Sequence, residues 1–323
     1  MSPPNETAPE IDLSDSKNYF SQEQRWLKLN DRVLQEALDP HTPLLERLKF
    51  LAIFSSNLDE FFMVRISGLI GQVNAEVNPP TIDGRSPQQQ LDEITNRLRP
   101  SVTRQHQLFE RELRPLLAEK GVRLVNYIDL SKDQRVYLQR YFEEGVFPIL
   151  TPLAIDPSHP FPHMSNLSLN LAVSVKDPKT AKENFARVKV PKILPRFIAL
   201  PEELRQYDGK SCVWVGIPLE QLIAHNLEML FPGMIIQEFG VFRITRDADL
   251  DVQEDEADDL LLAIEQELRT HRLGGSAVRL EVQKGMPDLL RKPLLEELGL
   301  TDREVYEIEG LLNLKDLFWE HPN

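Results

Sequence analysis

The chain has 323 residues and a formal net charge of −14, with 41% hydrophobic and 27% charged residues. This composition predicts a globular protein of two or three domains, and the negative charge argues against nonspecific binding to nucleic acid or anionic lipid. No apolar run approaches the roughly 20 residues of a membrane-spanning helix. The single cysteine, Cys212, excludes an internal disulfide. We expect Cys212 to be buried within a strand, and a single cysteine fits a cytoplasmic protein.

The chain begins with a segment that predicts no fixed structure. Residues 1–17 are rich in proline and acidic residues and lack a basic-then-apolar pattern, so we expect a disordered tail and not a secretory signal. A first helix is predicted over residues 21–38 from its apolar spacing. A second begins after residue 42, where Thr42 can cap it and the next proline fits the first turn.

A third long helix completes a predicted helical domain over residues 18–120. Ser86 and Gln89 have the spacing of a capping box. The helix is expected to run to about residue 120, with kinks near Pro100 and Pro115 because proline lacks the backbone N–H. The pattern is typical of a few long helices packed antiparallel.

Beyond residue 120 the pattern mixes strands with helices. We predict strands over 122–125, 167–175, 185–190, 197–200, 212–217, 234–245, 277–282 and 305–309, and helices over 131–144, 219–230, 255–271, 286–298 and 312–319. The run 234–245 is expected to be a hairpin or a bulged strand. Prolines make 147–163 an extended connector. Because strands and helices do not alternate strictly, we predict an α+β domain over residues 121–323.

The segment Ser55-Ser56-Asn57 interrupts the second helix pattern, and Asn57 supports two interpretations. In the structural one, these polar residues break the helix and Asn57 caps a new one, with Glu60 completing a capping box. In the functional one, the carboxamide of Asn57 recognises a base, since it offers a donor and an acceptor side by side to the edge of adenine. The local pattern favours the cap.

Several long motifs resemble the polyphosphate kinase 1 family. They are residues 24–37, 42–66, 147–173, 230–234, 242–250 and 255–259, so the resemblance spans roughly residues 18–312. In that family the second residue of a Ser/Asn-Asn-Leu-Asp-Glu-Phe motif contacts the nucleotide base, and this position is Asn57 here. The resemblance therefore implies that Asn57 binds adenine.

The resemblance also implies a function for the whole protein. A polyphosphate kinase moves the terminal phosphate of ATP onto a histidine and then onto polyphosphate, reversibly and with Mg²⁺. The phosphorylated histidine and the arginines near the metal lie in two further domains that this chain lacks. We therefore expect a fragment that contributes an adenine contact and joins subunits into a homodimer through its head domain. We expect it to be inactive alone and to bind neither ATP nor Mg²⁺ tightly.

Two other functions stay open. The chain could be a non-catalytic interaction or regulatory module that dimerises, or a free-standing binder of adenine nucleotides. A single wall of a nucleotide pocket should bind ATP only in the millimolar range or weaker, about −4 kcal/mol. Micromolar affinity of the isolated chain for ATP would therefore support a free-standing binder of adenine nucleotides.

The remaining candidate sites are weaker. Gly209-Lys210-Ser211 lacks the upstream glycine of a phosphate loop and predicts a surface turn. Asp247, Asp249 and Asp251 have the spacing of a calcium loop without its glycine or final glutamate, so we favour a loop before an acid-rich helix.

Two histidines and three basic residues are further candidates. His159 and His163 are separated by prolines and do not share a helix face, and we expect backbone-bonded connector histidines there. His159 is nevertheless the least implausible phosphoryl acceptor. Arg47, Lys49 and Arg65 flank Asn57. They predict surface ion pairs, for example with Glu46 and Glu60, or alternatively a rim that attracts phosphate.

Overall fold

The computed structural model describes most of the chain, and the fold below concerns that part. The described residues are 19, 21–78, 81, 83–155, 164–207, 209–248 and 275–318. The predicted tail over residues 1–17 and the predicted helix 255–271 lie outside them.

Helices form the first part of the chain. They are α1 (Gln22–Leu38), α2 (Leu44–Glu60), a π-helical turn (Phe61–Ile66), α3 (Ser67–Asn74), α4 (Pro87–Leu108), a second π-helical turn (Phe109–Leu113) and α5 (Arg114–Glu119). Ser86 and Gln89 form the predicted capping box at α4, with both reciprocal hydrogen bonds present. Thr42 is not the cap of α2, since Pro43 precedes its first residue and no side chain caps it.

The two prolines of the third predicted helix differ in effect. α4 extends through Pro100, whereas the π-helical turn Phe109–Leu113 ends just before Pro115. Proline cannot donate the backbone bond that its position in an α-helix requires, and a π-helical turn changes the bonding pattern at that point. The predicted long helix is therefore confirmed, and the π-helical turn that interrupts it ends two residues before Pro115.

Strands dominate the second part. They are β1 (Val122–Leu124), β2 (Leu153–Ile155), β3 (Leu169–Lys176), β4 (Glu183–Lys189), β5 (Phe197–Ala199), β6 (Gln206–Tyr207), β7 (Lys210–Ser211), β8 (Trp214–Pro218), β9 (Ile235–Arg246), β10 (Ala277–Gln283) and β11 (Val305–Ile308). A six-stranded sheet has the order β11-β10-β9-β3-β4-β2, and a three-stranded sheet has the order β1-β8-β5. The β10–β11 and β1–β8 pairs are parallel. The predicted α+β fold is confirmed.

Four α-helices accompany these strands within the described residues. They are α6 (Lys132–Tyr141), α7 (Leu219–Ala224), α8 (Leu227–Leu230) and α9 (Asp288–Leu298). α6 begins at the predicted Ser131/Gln134 capping box. The predicted helix 219–230 is divided into α7 and α8. α9 ends as glycine-terminated helices commonly do, because Gly299 adopts a left-handed conformation with φ 63°.

Three strand predictions needed adjustment. β9 is one continuous strand with a shift in register opposite Ser174 and Val175, which leaves Gln237 as the extra residue. The bulged strand is therefore confirmed, and a hairpin is wrong. β2 lies in the proline-rich connector and pairs with β4 at the edge of the sheet, where prolines beside a strand are tolerated. Cys212 is buried as predicted but lies just before β8 and not within it.

One hydrophobic core links the helices to the sheets. Phe54 and Phe61 of the helical part and Phe142 of the second part are almost fully buried. Phe62 contacts the ring of Tyr306 in β11 edge-on, with ring centroids 5.6 Å apart. The π-helical turn after α2 therefore lies against the six-stranded sheet. Among the described helices, none combines the length and the apolar character needed to cross a membrane.

Candidate functional site

The segment that contains Asn57 is an uninterrupted helix. α2 continues through Ser55, Ser56 and Asn57 to Glu60, and the chain then passes directly into the π-helical turn. The predicted helix break is wrong, and Asn57 caps no helix. Two of these polar side chains have tertiary partners instead: Ser55 Oγ accepts a hydrogen bond from Gln105 Nε2 over 2.7 Å, and Asn57 bonds to Asn30. A side chain engaged by another helix no longer competes for its own backbone.

The carboxamide of Asn57 lies on the side of α2 that faces α1. Asn57 is half-buried, and its Nδ2 donates to Asn30 Oδ1 over 2.9 Å. Asn30 is only 2% exposed, and its own Nδ2 donates to the carbonyl oxygen of Phe54 over 3.4 Å. Among the described residues, no side chain or backbone group bonds to Asn57 Oδ1. The acceptor of this half-buried amide is therefore available to a ligand.

An aromatic pair lies one helical turn from the two asparagines. The rings of Trp26 in α1 and Phe61 are stacked, with centroids 4.1 Å apart and planes 13° apart. Phe61 is buried and Trp26 is half-buried. Trp26 is four residues before Asn30 in α1, and Phe61 is four residues after Asn57, where α2 passes into the π-helical turn, so the stack and the amide pair lie on the same side of each helical segment. The stack fixes the spacing of the two helices beside Asn57.

A buried ionic cluster lies on the opposite face of α2. Asp59 is 4% exposed and accepts hydrogen bonds from Arg243 over 2.9 and 2.5 Å and from Arg279 over 2.5 Å. Arg243 also donates to Glu281 over 2.6 Å. The hydroxyl of Thr245 accepts from Arg279 over 2.8 Å. These partners lie on β9 and β10, so the cluster ties α2 to the six-stranded sheet.

The cluster keeps Asp59 and Arg243 ionised. Burial alone raises the pKa of the Asp59 carboxyl, but the charges of Arg243 and Arg279 outweigh burial and hold that pKa below its ordinary value. Burial likewise lowers the pKa of Arg243, and the charges of Glu281 and Asp59 outweigh it and raise the pKa. Asp59 and Arg243 therefore face each other as charged groups in the interior.

Sequence reasoning missed this cluster, although a signal was present. Asp59 lies between Leu58 and Phe61 on an apolar helix, and Arg243 and Arg279 each interrupt an apolar strand. Charged residues are almost never fully buried unless they are paired. An acid and two bases in separate apolar runs therefore indicated mutual pairing. The sequence did not show which run lies against which.

The three basic residues near Asn57 have three different environments. Arg47 is buried and donates to the carbonyl of Ala37 over 2.7 Å and to Glu112 over 2.5 Å. The predictions of a surface ion pair and of a phosphate-attracting rim are therefore both wrong for Arg47. Lys49 forms the predicted surface pair with Glu46 over 2.7 Å. Arg65 is exposed, and within the described residues it has no ion-pair partner.

The structure describes only part of the other candidate sites. Gly209 forms the turn between β6 and β7, as predicted. Asp247 follows β9 directly, whereas Asp249 and Asp251 lie outside the described residues, as do His159 and His163. No group of three or more His, Cys, Asp or Glu side chains in the described ranges could hold a metal ion.

The histidines of the described part differ in accessibility. His106 is buried, and burial lowers its pKa to about 4. His225 is stacked on Tyr127 with centroids 4.0 Å apart. His41 is exposed beside Asp39. His106 shares a buried cavity with Arg243 and Arg279, but these arginines are bonded to Asp59 and Glu281 and are not free to stabilise a phosphoryl group.

A chain with this architecture is a helical amino-terminal domain joined through a buried ionic cluster to an α+β domain. A family model described as the polyphosphate kinase N-terminal domain matches residues 19–125, and one described as the polyphosphate kinase middle domain matches residues 133–319. Since the second match alone covers more than half of the chain, the chain belongs to the polyphosphate kinase family.

Individual relatives agree with this assignment. A polyphosphate kinase of Synechocystis sp. is 60% identical over 314 residues, which are 97% of this chain and 43% of that protein. One of Mycobacterium tuberculosis is 45% identical over 322 residues, which are 98% of this chain and 43% of that protein. The crystal structure of polyphosphate kinase from Porphyromonas gingivalis has a TM-score of 0.75 and 27% identity, over 94% of this chain and 41% of the other. The chain therefore spans less than half the length of these relatives.

Proposed function

We propose that this chain supplies one wall of the nucleotide pocket of a polyphosphate kinase, with Asn57 as the residue that contacts adenine. The carboxamide of Asn57 supports this proposal, because it is half-buried, is held by a neighbouring buried residue, and has an uncommitted acceptor oxygen. Adenine offers an exocyclic amine as donor and a ring nitrogen as acceptor, which match one carboxamide.

The rest of the proposed reaction lies outside this chain. The complete enzyme would transfer the terminal phosphate of ATP to polyphosphate reversibly through a phosphohistidine. It would need Mg²⁺ and positively charged side chains around the phosphates. The described residues contain neither a metal-holding group nor an accessible histidine beside such charges. We therefore infer that the 323-residue chain alone does not synthesise polyphosphate and binds ATP only weakly.

The proposal includes a homodimer formed through the α+β domain. Ile235 and Phe239 of β9 are 51% and 40% exposed, although they belong to a strand in the middle of the sheet order. Apolar side chains exposed on a sheet are a typical feature of surfaces that contact another protein.

The experiment uses a fusion protein in which this chain precedes the remaining part of the Synechocystis relative. Replacing Asn57 by alanine removes the proposed adenine contacts. We expect kcat/KM for ATP to fall about tenfold, mainly through KM, because two hydrogen bonds to the bound base are lost. The matched control is Asn74→Ala, which removes an exposed carboxamide at the end of α3 and should change neither constant. An unchanged kcat/KM in Asn57→Ala would contradict the proposed function.

A further inference from the structure

We propose that Asn30 is a positioning residue that fixes the orientation of the Asn57 carboxamide and thereby makes the pocket select adenine over guanine. The inference rests on the proposed function of Asn57 and adds a residue that does not touch the nucleotide.

The orientation of Asn30 follows from its partners. Its Nδ2 lies 3.4 Å from the carbonyl oxygen of Phe54. A backbone carbonyl only accepts hydrogen bonds, so the amide nitrogen of Asn30 has to face it. The other end of the side chain, Oδ1, therefore faces Asn57. Because Asn30 is 2% exposed, water cannot replace either partner freely.

The orientation of Asn57 then follows from that of Asn30. The oxygen of Asn30 requires a donor, and Asn57 Nδ2 supplies it over 2.9 Å. If the Asn57 carboxamide turned over by 180°, its oxygen would lie against the oxygen of Asn30. That flip would replace a hydrogen bond by a contact between two acceptors. Asn57 therefore keeps its nitrogen inward and presents Oδ1, together with its second N–H, to the solvent side.

This orientation distinguishes the two purines. An outward Oδ1 accepts from the exocyclic amine of adenine, whereas guanine has a carbonyl oxygen at the same ring position. Guanine would place two acceptors in contact unless the carboxamide flips, and Asn30 opposes the flip. A carboxamide without this restraint could adopt either orientation and would accept both bases. The expected selectivity from one such interaction is about tenfold.

The backbone around the pair is held on both sides. Two residues beyond Asn57, Asp59 is bonded to Arg243 and Arg279. One turn away from Asn30, the ring of Trp26 stacks on the ring of Phe61. Rotation of α2 is therefore not an alternative way to relieve an unfavourable contact between Asn57 and guanine.

The test compares kcat/KM for ATP and for GTP in the fusion protein described above. Asn30→Leu and Asn30→Ser both remove the oxygen that holds Asn57. In each variant we expect the ATP-to-GTP ratio of kcat/KM to fall about tenfold. Asn30→Asp keeps an acceptor oxygen toward Asn57 and should retain most of the ratio, but it places its second oxygen against the Phe54 carbonyl, so we expect this variant to be less stable than wild type.

The control separates selectivity from stability. Gln105→Leu removes another buried carboxamide that bonds to α2, through the Leu51 carbonyl and Ser55, without contact with Asn57. We expect this variant to lower stability and leave the ATP-to-GTP ratio unchanged. If Asn57→Ala lowers kcat/KM for ATP but a folded Asn30→Leu or Asn30→Ser keeps the wild-type ratio, the inference about Asn30 is wrong and the proposed function stands. If Asn57→Ala has no effect, the proposed function itself fails.

Discussion

Replacing Asp59 by asparagine tests the ionic cluster that joins α2 to the sheet. In the native cluster, two carboxylates balance two guanidinium groups, all of them buried. The substitution leaves Arg243 and Arg279 with the single carboxylate of Glu281. It also replaces one of the two Asp59 oxygens, both of which accept hydrogen bonds from arginine, by an amide nitrogen that can only donate.

The expected loss of stability is large. Removing one partner of a buried ion pair costs about 3–5 kcal/mol, because the remaining charge is left uncompensated. Asparagine keeps one acceptor oxygen, so we expect the lower end, about 3 kcal/mol. At a urea dependence of roughly 3 kcal/mol per molar, the unfolding midpoint should fall by about 1 M.

The assay is urea unfolding of the 323-residue chain followed by circular dichroism. The matched control is Glu144→Gln, which removes one carboxylate from an exposed pair with Arg140 and should change the free energy of unfolding by less than about 1 kcal/mol. The difference between wild type and Asp59→Asn should also shrink at acidic pH. The pKa of Asp59 is lowered in the folded protein, so its contribution is present above about pH 4 and disappears as the pH falls further. A midpoint shift no larger than that of the control would refute the reasoning.

Two further substitutions test buried polar groups. Burial lowers the pKa of His106 to about 4, so the unfolded chain binds an extra proton between about pH 6.5 and pH 4, and wild type should lose about 3 kcal/mol of stability as the pH falls over that range. In acid titrations of stability, His106→Gln should remove this part of the pH dependence, whereas His41→Gln, at an exposed histidine, should not. Equal pH dependence in the two variants would contradict the assignment. Arg47→Met leaves the buried carbonyl of Ala37 near the end of α1 without its donor and should lower the free energy of unfolding by about 1–3 kcal/mol. Lys49→Met removes one partner of an exposed ion pair and should change that free energy by less than about 1 kcal/mol. Similar urea midpoints for the two variants would show that the burial of Arg47 has no energetic consequence.

Local sequence patterns predicted the elements whose causes are local. The capping boxes at Ser86 and Ser131 need only a serine and a glutamine three residues apart, and both form as expected. The apolar spacing of α1 and the alternation in β3 likewise depend on neighbours within the same element. The α+β class followed from the order of these elements.

The polar residues of α2 were harder to interpret, because their partners are distant in the chain. The local sequence at Ser55 and Asn57 predicts a helix break, yet these side chains form hydrogen bonds with Gln105 and Asn30. Arg47 looked like a surface residue, yet it lies between helices and bonds to Glu112. In each case a tertiary hydrogen bond outweighs the local preference. The candidate position Asn57 came from a family motif, whereas its contact with Asn30 required the structure.

The structure of the fusion protein with a non-hydrolysable ATP analogue tests the central proposal most directly. We predict that the adenine amine lies within about 3.2 Å of Asn57 Oδ1, a hydrogen-bond distance, while Asn57 Nδ2 stays bonded to Asn30. An adenine ring bound away from α2, with the Asn57 side chain facing only solvent, would contradict the account.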